Sequence, residues 1–203
     1  MDRWQLFLDS ALAIKATEIY HRHLDCYERE AKPFWSESDN PFLFPGLRVS
    51  RYAEESMAIN EMHSGALIIA GSGMCNGGRI RHHLKHNEWR HNCHIIIVGF
   101  QVEGTLGRAL VDGARTIHLW GKEVEVNATI HNIGGFSAHA DQQGLRDWYH
   151  HFENRPPLVL IHGEEKARQT LAETLREEQV TVYTPGYGHA INLLELQTYP
   201  LNS

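Results

Sequence analysis

The sequence predicts an α/β fold in which parallel strands are joined by helices, and three observations support this class. Short apolar runs typical of strands alternate along much of the chain with segments of helical periodicity. The run from Cys93 to Phe100 is almost continuously apolar, a pattern typical of a parallel strand covered on both faces. A glycine-rich loop, Gly71–Gly78, lies between a predicted strand and a predicted helix, as expected of a connection in a parallel sheet.

The elements follow in chain order from periodicity and from turn residues. The predicted strands are 4–8, 66–70, 93–100, 158–161 and 180–183, and the predicted helices are 11–30, 52–60, 79–86, 105–110, 141–152 and 166–178. Residues 33–46 hold three prolines and predict an ordered aromatic loop. The alternating stretch 116–133 predicts an antiparallel hairpin that turns near Gly121-Lys122, and the change of pattern near residue 113 predicts a domain boundary.

The composition is that of an ordinary globular protein and excludes a general attraction to polyanions. The 203 residues, of which 42% are hydrophobic, suffice for one domain of fair size or two small ones. The net charge of -6 gives no overall basic field. Any phosphate binding must therefore be local, and residues 72–91 supply it with four Arg or Lys side chains against one Glu, a net charge of +3.

The cysteines and the apolar runs predict where the protein works. Cys26, Cys75 and Cys93 have no C-x-x-C spacing, which argues against a disulfide framework and against a cysteine zinc cage. The longest apolar run, Ile95–Phe100, is too short to span a bilayer. We therefore expect a protein of the reducing cytoplasm that does not bind to membranes.

The segment G-S-G-M-C-N-G-G-R-I-R, Gly71–Arg81, predicts an anion site. A strand, a glycine-rich loop and a helix in this order direct free backbone N–H groups at an anion, and the helix dipole favours negative charge there. The glycines permit close approach of the backbone. The segment therefore indicates a protein that handles nucleotides or nucleic acids.

Two histidines, His139 and His162, are candidate catalytic or metal-binding residues because each stands where a strand passes into a helix. Ser137 is the predicted N-cap of the helix after His139, and Gly163 makes the turn after His162. Ligands bind at this edge of parallel sheets, and imidazole is both a frequent metal ligand and a general acid. The alternative for each is a histidine that only lines a turn. The pair His82 and His86, on one helix face, is interpreted as a solvated basic surface.

Five segments, in order, resemble the β-CASP branch of the metallo-β-lactamase superfamily, a group of RNA-processing nucleases. They are L-D-S-A-L-A-I-K-A-T (8–17), I-I-A-G-S-G-M-C-N-G-G-R-I-R-H-H-L (68–84), V-G-F-Q-V-E-G-T-L-G-R (98–108), G-G-F-S-A-H-A-D (134–141) and V-L-I-H-G-E-E (159–165). Ala11 departs from the proline that bacterial and archaeal relatives usually have. The resemblance implies that 1–113 is the later part of a β-CASP domain and 114–203 the carboxyl-terminal part of a metallo-β-lactamase-like αββα domain.

The resemblance also implies a metal-dependent ribonuclease and a role for individual residues. His139 matches the motif B histidine, which lies beside the scissile phosphate as general acid or stabiliser of the transition state. His162 matches the motif C histidine, a zinc ligand, and a histidine there favours RNA over DNA. Asp141 and Glu164 are expected to orient the two histidines, and all of these are expected to share one crevice with the loop. The residues expected to contact phosphates of single-stranded RNA are Ser72, Gly73, Gly77, Gly78, Arg79, Arg108 and Ser137.

The metal ligands depart from the family pattern. The family's zinc cluster, H-x-H-x-D-H, is absent from the 203 residues, and the motif A acidic residue would precede Met1. A zinc site needs three or four protein ligands, and this chain offers one. We therefore expect two zinc ions in an intact protein, of which this chain is a carboxyl-terminal fragment that is inactive without the missing amino-terminal half. Apolar surface exposed by that truncation would favour a homo-oligomer.

Two alternatives to a ribonuclease fragment remain open. The first is a non-catalytic module of the same fold that binds RNA or a protein partner. The second is a superfamily enzyme that acts on a small phosphorylated or thioester substrate, and the basic segment 79–91 argues against it.

Overall fold

The computed structural model describes residues 4–30, 42, 46–192 and 194, and the backbone of 197–200. Parallel strands with flanking helices confirm the predicted α/β class. The predicted loop over 33–46 lies outside the described residues, apart from residues 42 and 46. The strands and helices are β1 (Gln5–Asp9), α1 (Ala11–Arg22), β2 (Leu47–Val49), α2 (Ala53–Ile59), β3 (Ala66–Ala70), α3 (Ile80–Asn87), β4 (His94–Ile97), α4 (Leu106–Val111), β5 (Thr116–Leu119), β6 (Lys122–Glu125), β7 (Thr129–Asn132), α5 (Gln142–His150), β8 (Leu158–Val159), α6 (Glu165–Glu177), β9 (Val182–Tyr183), β10 (His189–Asn192) and β11 (Gln197–Pro200).

The chain divides into two compact units, residues 1–136 and residues 137–203. The predicted domain boundary near residue 113 stays a prediction. None of the described helices is long and apolar enough to cross a membrane.

The first unit is organised around a parallel sheet in the order β2-β1-β3. Leu8 pairs with Val49 on one side of β1, and Asp9 pairs with Ala70 on the other. Because β1 and β3 end level with each other, Asp9 and the first residue of the glycine-rich loop, Gly71, lie at the same edge of the sheet. This is the carboxyl edge, where parallel sheets place their ligands.

Helix α1 is shorter than predicted. The helix begins after Ser10, whose hydroxyl caps it by accepting from the Ala13 N–H at 3.3 Å. It ends at Arg22 rather than at residue 30, and a 3₁₀ turn, Leu24–Cys26, follows. Ile14 is the one buried residue described in α1, so no core contact extends the helix beyond its third turn.

The hydrophobic core of the first unit joins the loop, two helices and two strands. Its six buried members are Cys75, Leu84, Ile97, Leu110, Ile117 and Leu119. Each of them comes from a different element except for the pair on β5, so the core fixes α3, α4, β4, β5 and the loop to one another.

The prediction that 116–133 forms one antiparallel hairpin is wrong for the end of this stretch. Strands β5 and β6 form the hairpin, with Trp120 and Gly121 as its turn residues. Strand β7 leaves the hairpin and pairs in parallel with β4, from Thr129 opposite His94 onwards. The reason is a backbone anchor before β7, where the N–H groups of Asn127 and Ala128 both donate to the Glu88 carbonyl at 2.8 Å.

Strand β4 is shorter than predicted, and the described residues do not cover it on both faces. Ile97 is buried in the core, whereas Ile96 and Val98 are 51% and 52% exposed. Since neighbouring side chains of a strand point to opposite faces, one face packs on the core and the other is apolar and exposed.

The second unit has a smaller core between its helices and its parallel pair β8-β9. The core consists of Tyr149, Ala172, Leu175, Val180 and Val182. The Tyr149 hydroxyl satisfies its buried polar atom by donating to the Pro156 carbonyl at 2.8 Å. An antiparallel pair, β10-β11, follows and was not predicted.

Candidate active site

The glycine-rich loop from Gly71 to Arg79 closes on itself between β3 and α3. The Ile80 N–H donates to the Gly71 carbonyl at 3.0 Å, so the end of the loop returns to its start. Ser72 and Gly77 join across the loop, because the Ser72 N–H donates to the Gly77 carbonyl at 3.2 Å and the Gly77 N–H donates to Ser72 Oγ at 3.2 Å. The loop is therefore held in one closed conformation.

Gly78 is the position at which this closure requires glycine. Its φ is +70°, in the left-handed region. A Cβ there would lie 2.8 Å from the Gly71 carbonyl carbon and 2.9 Å from the Ser72 nitrogen. At Gly73, by contrast, a Cβ would meet no atom within 4 Å.

Several backbone N–H groups of the loop have partners inside it. Ser72, Cys75, Gly77 and Ile80 all donate to oxygen atoms of the loop itself. Phosphate binding by Ser72, Gly73, Gly77 and Gly78 stays a prediction, and for Ser72 and Gly77 it requires exchange of an internal hydrogen bond for one to the ligand.

The loop also packs against the segment around α4, which brings the second and third family motifs together. The Gly107 N–H donates to the Met74 carbonyl at 3.1 Å, and the Leu106 N–H donates to Asn76 Oδ1 at 3.0 Å. Gln101 donates from Nε2 to the Gly73 carbonyl at 2.9 Å. A Cβ at Gly107 would overlap the end of the Gln101 side chain, so a larger residue there would displace the amide that bonds to Gly73.

Asp9 forms a fully buried centre behind the loop. Its Oδ1 accepts from Arg79 Nη1 at 2.6 Å, and its Oδ2 lies 2.6 Å from both Ser56 Oγ and His83 Nε2. Burial alone would raise the pKa of Asp9, but the hydrogen bonds from Ser56, His83 and Arg79 outweigh it and lower the pKa below 3.8. The ring of His83 also lies 2.8 Å from Asn60 Oδ1 through Nδ1.

Two residues of this centre, Asp9 and His83, help to hold the loop in place, and the sequence analysis did not identify either of them. Neither was predicted as a site residue, although His83 is only 4% exposed. A signal existed for Asp9, an acidic residue at the end of the apolar run L-F-L-D-S in the first family motif. No comparable signal distinguished His83 from its neighbours.

The two arginines predicted to bind phosphate both have partners within the chain. Arg79 donates to Ser50 O at 2.7 Å and to Arg51 O at 3.1 Å in addition to Asp9. Arg108 donates from Nε to both carboxylate oxygens of Asp112 at 2.9 Å. Arg79 thus fixes the loop to the sheet edge, and a contact of either guanidinium with phosphate stays a prediction.

In the second unit, His139 lies in an exposed turn before α5. Its Nδ1 is 3.1 Å from Ser137 Oγ, which also accepts from the His139 backbone N–H at 3.3 Å. Since Ser137 Oγ accepts from the backbone, its own hydrogen is free to be donated to Nδ1. In the tautomer in which Nδ1 accepts from the Ser137 hydroxyl, the proton of a neutral imidazole is on Nε2.

The N-cap of α5 is Asp141, which corrects the prediction that Ser137 caps this helix. Asp141 Oδ1 accepts from the Gly144 N–H at 2.8 Å, and Asp141 has the extended backbone of a cap. The helix begins four residues later than a Ser137 cap requires, because Ser137 instead accepts from His139. The predicted action of Asp141 on a histidine stays a prediction beside this capping role.

His162 is exposed and lies at the turn between β8 and α6. Its φ of +72° is left-handed, a conformation that costs a residue with a Cβ about 1–2 kcal/mol. Such outliers cluster at functional sites. Glu164 follows as the N-cap of α6, and its carbonyl accepts from the Arg168 N–H at 2.9 Å, while its predicted orienting of a histidine stays a prediction.

The chemistry of His162 fits zinc, but the described residues do not complete a zinc site around it. An exposed neutral imidazole is a suitable ligand. Among the described residues, the group of three side chains close enough to hold a metal is His23, Asp25 and Cys26, on the surface of the first unit. A site at His162 therefore needs ligands from outside the described part of the chain.

Comparison with known proteins identifies the family to which the chain belongs. Residues 1–110 match the Beta-Casp domain model, and residues 123–185 match the model described as the Zn-dependent metallo-hydrolase RNA specificity domain. The chain belongs to the β-CASP family of the metallo-β-lactamase superfamily, which confirms the resemblance drawn from its motifs. Both candidate histidines lie within the second match.

The chain is similar to several curated relatives and spans less than half the length of each. A ribonuclease of Thermus thermophilus is 35% identical over 93% of this chain and 43% of its own length. The transcription termination factor FttA of Pyrococcus abyssi is 32% identical over 85% of this chain and 28% of its own length. The protein of the same name from Thermococcus kodakarensis is 34% identical over 78% of this chain and 26% of its own length.

Proposed function

We propose that this chain is the carboxyl-terminal part of a zinc-dependent ribonuclease that hydrolyses phosphodiester bonds of single-stranded RNA. The observation that carries the proposal is the match of 123–185 to the RNA specificity model, in which His139 and His162 are both exposed at turns before helices. The 35% identity with a ribonuclease supports the same reaction.

His139 would act on the scissile phosphate as a hydrogen-bond donor or general acid. The Ser137 hydroxyl lies at Nδ1, and with Nδ1 as the acceptor of that bond, Nε2–H would donate to a phosphate oxygen or to the leaving oxygen. General acid catalysis of this kind contributes about 10²–10⁴-fold to a rate. His162 would hold one zinc ion, and bound zinc lowers the pKa of a coordinated water toward neutrality and so supplies the nucleophile.

The loop residues 72–78 with Arg79, Arg108 and Ser137 would contact backbone phosphates, which set register without reading bases. The bond from Arg79 to Asp9 supports this part of the proposal, because it holds the loop at the carboxyl edge of the parallel sheet, where such sheets place their ligands.

The remaining zinc ligands would come from an amino-terminal half that carries H-x-H-x-D-H. Three observations support this. The chain spans 43% of the length of the ribonuclease relative, and the three-residue group of possible metal ligands among the described residues does not include His162. The face of β4 that carries Ile96 and Val98 is apolar and exposed. Two zinc ions in the joined protein, cytoplasmic location and self-association of the separate chain belong to the same proposal.

The test compares the chain with a longer protein in which H-x-H-x-D-H precedes it. We expect the longer protein to retain zinc through dialysis and to cleave single-stranded RNA until a chelator removes the metal. The chain by itself is expected to hold little zinc and to cleave no RNA. Near-stoichiometric zinc together with RNA cleavage by the separate chain would contradict the fragment interpretation.

A non-catalytic module is the second candidate function. It is favoured by the incomplete ligand set around His162 in the described residues, and several relatives are named as transcription termination factors. In that case the longer protein binds RNA or a protein partner in the termination of transcription and shows no cleavage even when loaded with zinc.

A further inference from the structure

Trp120 lies at the tip of the β5–β6 hairpin, and a cluster of basic side chains from α3 packs against its indole ring. The Arg81 guanidinium carbon lies 4.6 Å from the centre of the indole, and Lys85 Nζ lies 5.7 Å from it. The His82 ring is 4.7 Å from the indole at an angle of 39°. These four residues, Arg81, His82, Lys85 and Trp120, are called the Trp120 patch.

The attachment of the hairpin to α3 does not explain the patch. Leu119, one residue before Trp120, is 1% exposed in the core, and Leu84 on α3 is 2% exposed in the same core. This shared core already joins the two elements. Trp120, by contrast, remains 49% exposed, and the indole offers a large apolar surface to solvent.

The backbone of Trp120 is a second unusual feature. Its φ is +50°, in a two-residue turn where asparagine and glycine are favoured and a bulky side chain is strained. Strained residues of this kind gather at ligand sites.

The charges of the patch are not neutralised within the described part of the chain. Neither Arg81 nor Lys85 forms an ion pair with a described carboxylate, although the chain has 25 acidic residues and a net charge of -6. A cation that stays unpaired on an acidic protein leaves its charge available to an anionic ligand.

We propose that the Trp120 patch is an RNA contact in which one base stacks on the indole while flanking phosphates lie against Arg81 and Lys85. An aromatic ring beside cations is the chemistry by which proteins hold single strands without reading sequence, because every base has a face to stack. The partner is single-stranded RNA, and the inference rests on the proposed ribonuclease function. The patch lies outside the loop and the two histidines, so it contributes affinity rather than chemistry.

Binding of fluorescent 12-nucleotide single strands by the 203-residue chain tests the proposal. Trp120→Asn removes the ring and suits the left-handed backbone, and it should weaken binding about tenfold. Trp120→Tyr keeps an aromatic face and should stay within about threefold of the wild type. Lys85→Gln should reduce the slope of log affinity against log salt by roughly 0.7, the value for one lost phosphate contact on a single strand. Trp4→Asn and Lys15→Gln, both exposed and outside the patch, are matched controls that should change neither quantity.

The outcomes separate this inference from the ribonuclease proposal. Equal affinity of Trp120→Asn and the wild type, with an unchanged salt slope in Lys85→Gln, would overturn the patch and leave the ribonuclease intact. Base stacking would be overturned if Trp120→Asn lost as much affinity for double-stranded RNA as for single-stranded RNA. It would also be overturned if the wild type bound an acidic peptide as tightly as it binds single-stranded RNA. If Trp120→Asn unfolds, Trp120→Tyr and Lys85→Gln decide alone. Absence of RNA binding both by the wild-type chain and by the longer protein would count against the ribonuclease itself.

Discussion

Glu88 is a carboxyl group that is fully buried, with neither oxygen bonded to any described group. Burial raises its pKa from 4.5 to about 7. In the folded chain the group is therefore protonated between these two values, whereas in the unfolded chain it is ionised. The contribution to stability is complete below pH 4.5 and is lost as the pH rises through about 7.

Replacement of Glu88 by glutamine is expected to make stability less dependent on pH. The variant lacks the buried charge, so its free energy of unfolding should exceed that of the wild type by more at about pH 8 than at about pH 5, by at most on the order of 3 kcal/mol. Urea unfolding at both pH values measures this difference. Glu173→Gln, at an exposed site on α6, is the control. An identical pH dependence in Glu88→Gln and the wild type would show that Glu88 is not buried as a neutral acid.

Asp9 is the residue on which three elements converge, because α2, α3 and β1 meet at its carboxylate. Asp9→Asn removes the charge and leaves Arg79 and His83 beside a neutral amide. We expect a loss of about 3 kcal/mol in the free energy of unfolding near neutral pH, since breaking a buried pair strands the remaining charge. Because the pKa of Asp9 is lowered below 3.8, its contribution is present above that value and is lost as the pH falls further.

The difference in free energy of unfolding between Asp9→Asn and the wild type should therefore become smaller as the pH falls below about 4. Asp25→Asn, at an exposed position, should match the wild type throughout. A constant gap at all pH values would indicate that the packing of Asp9 matters and its charge does not.

At the scale of elements, the loop between β3 and α3 depends on one glycine. Gly78→Ala introduces a Cβ 2.9 Å from the Ser72 nitrogen at a φ of +70°, and we expect a loss of about 2 kcal/mol or more in the free energy of unfolding. Gly73→Ala, whose Cβ meets no atom within 4 Å, is the matched control and should stay near the wild type. Equal stability of the two alanine variants in urea would mean that the closed loop is not the conformation in solution.

The sequence predicted those elements whose pattern is local. Strand β3 and helices α2 and α3 begin and end within one or two residues of their predicted bounds because apolar periodicity and glycine positions define them. The pairing of β7 with β4 was not predicted, since it depends on the backbone anchor at Glu88, which is far away in sequence. The capping residue Asp141 was also missed, although the helix itself was predicted from residue 141, because Ser137 and Asp141 are both good caps.

The candidate site was predictable to a similar degree. The motifs located the loop and both histidines, but the partners of Asp9 lie up to 74 residues away along the chain. Nothing in the local pattern around His83 or Arg79 indicated that each contacts a buried carboxylate. The Trp120 patch was hidden for the same reason, since its cations and its ring come from α3 and from a hairpin.

For the molecule as a whole, the central claim is that His162 binds the metal and His139 acts on the phosphate. The most direct measurement is zinc content together with the single-turnover cleavage rate of single-stranded RNA, in the longer protein that carries H-x-H-x-D-H. We predict that His162→Ala lowers zinc content and rate together, whereas His139→Ala keeps its zinc and loses about 10²–10⁴-fold in rate. Full-speed cleavage by both variants, with zinc retained in His162→Ala, would contradict the account.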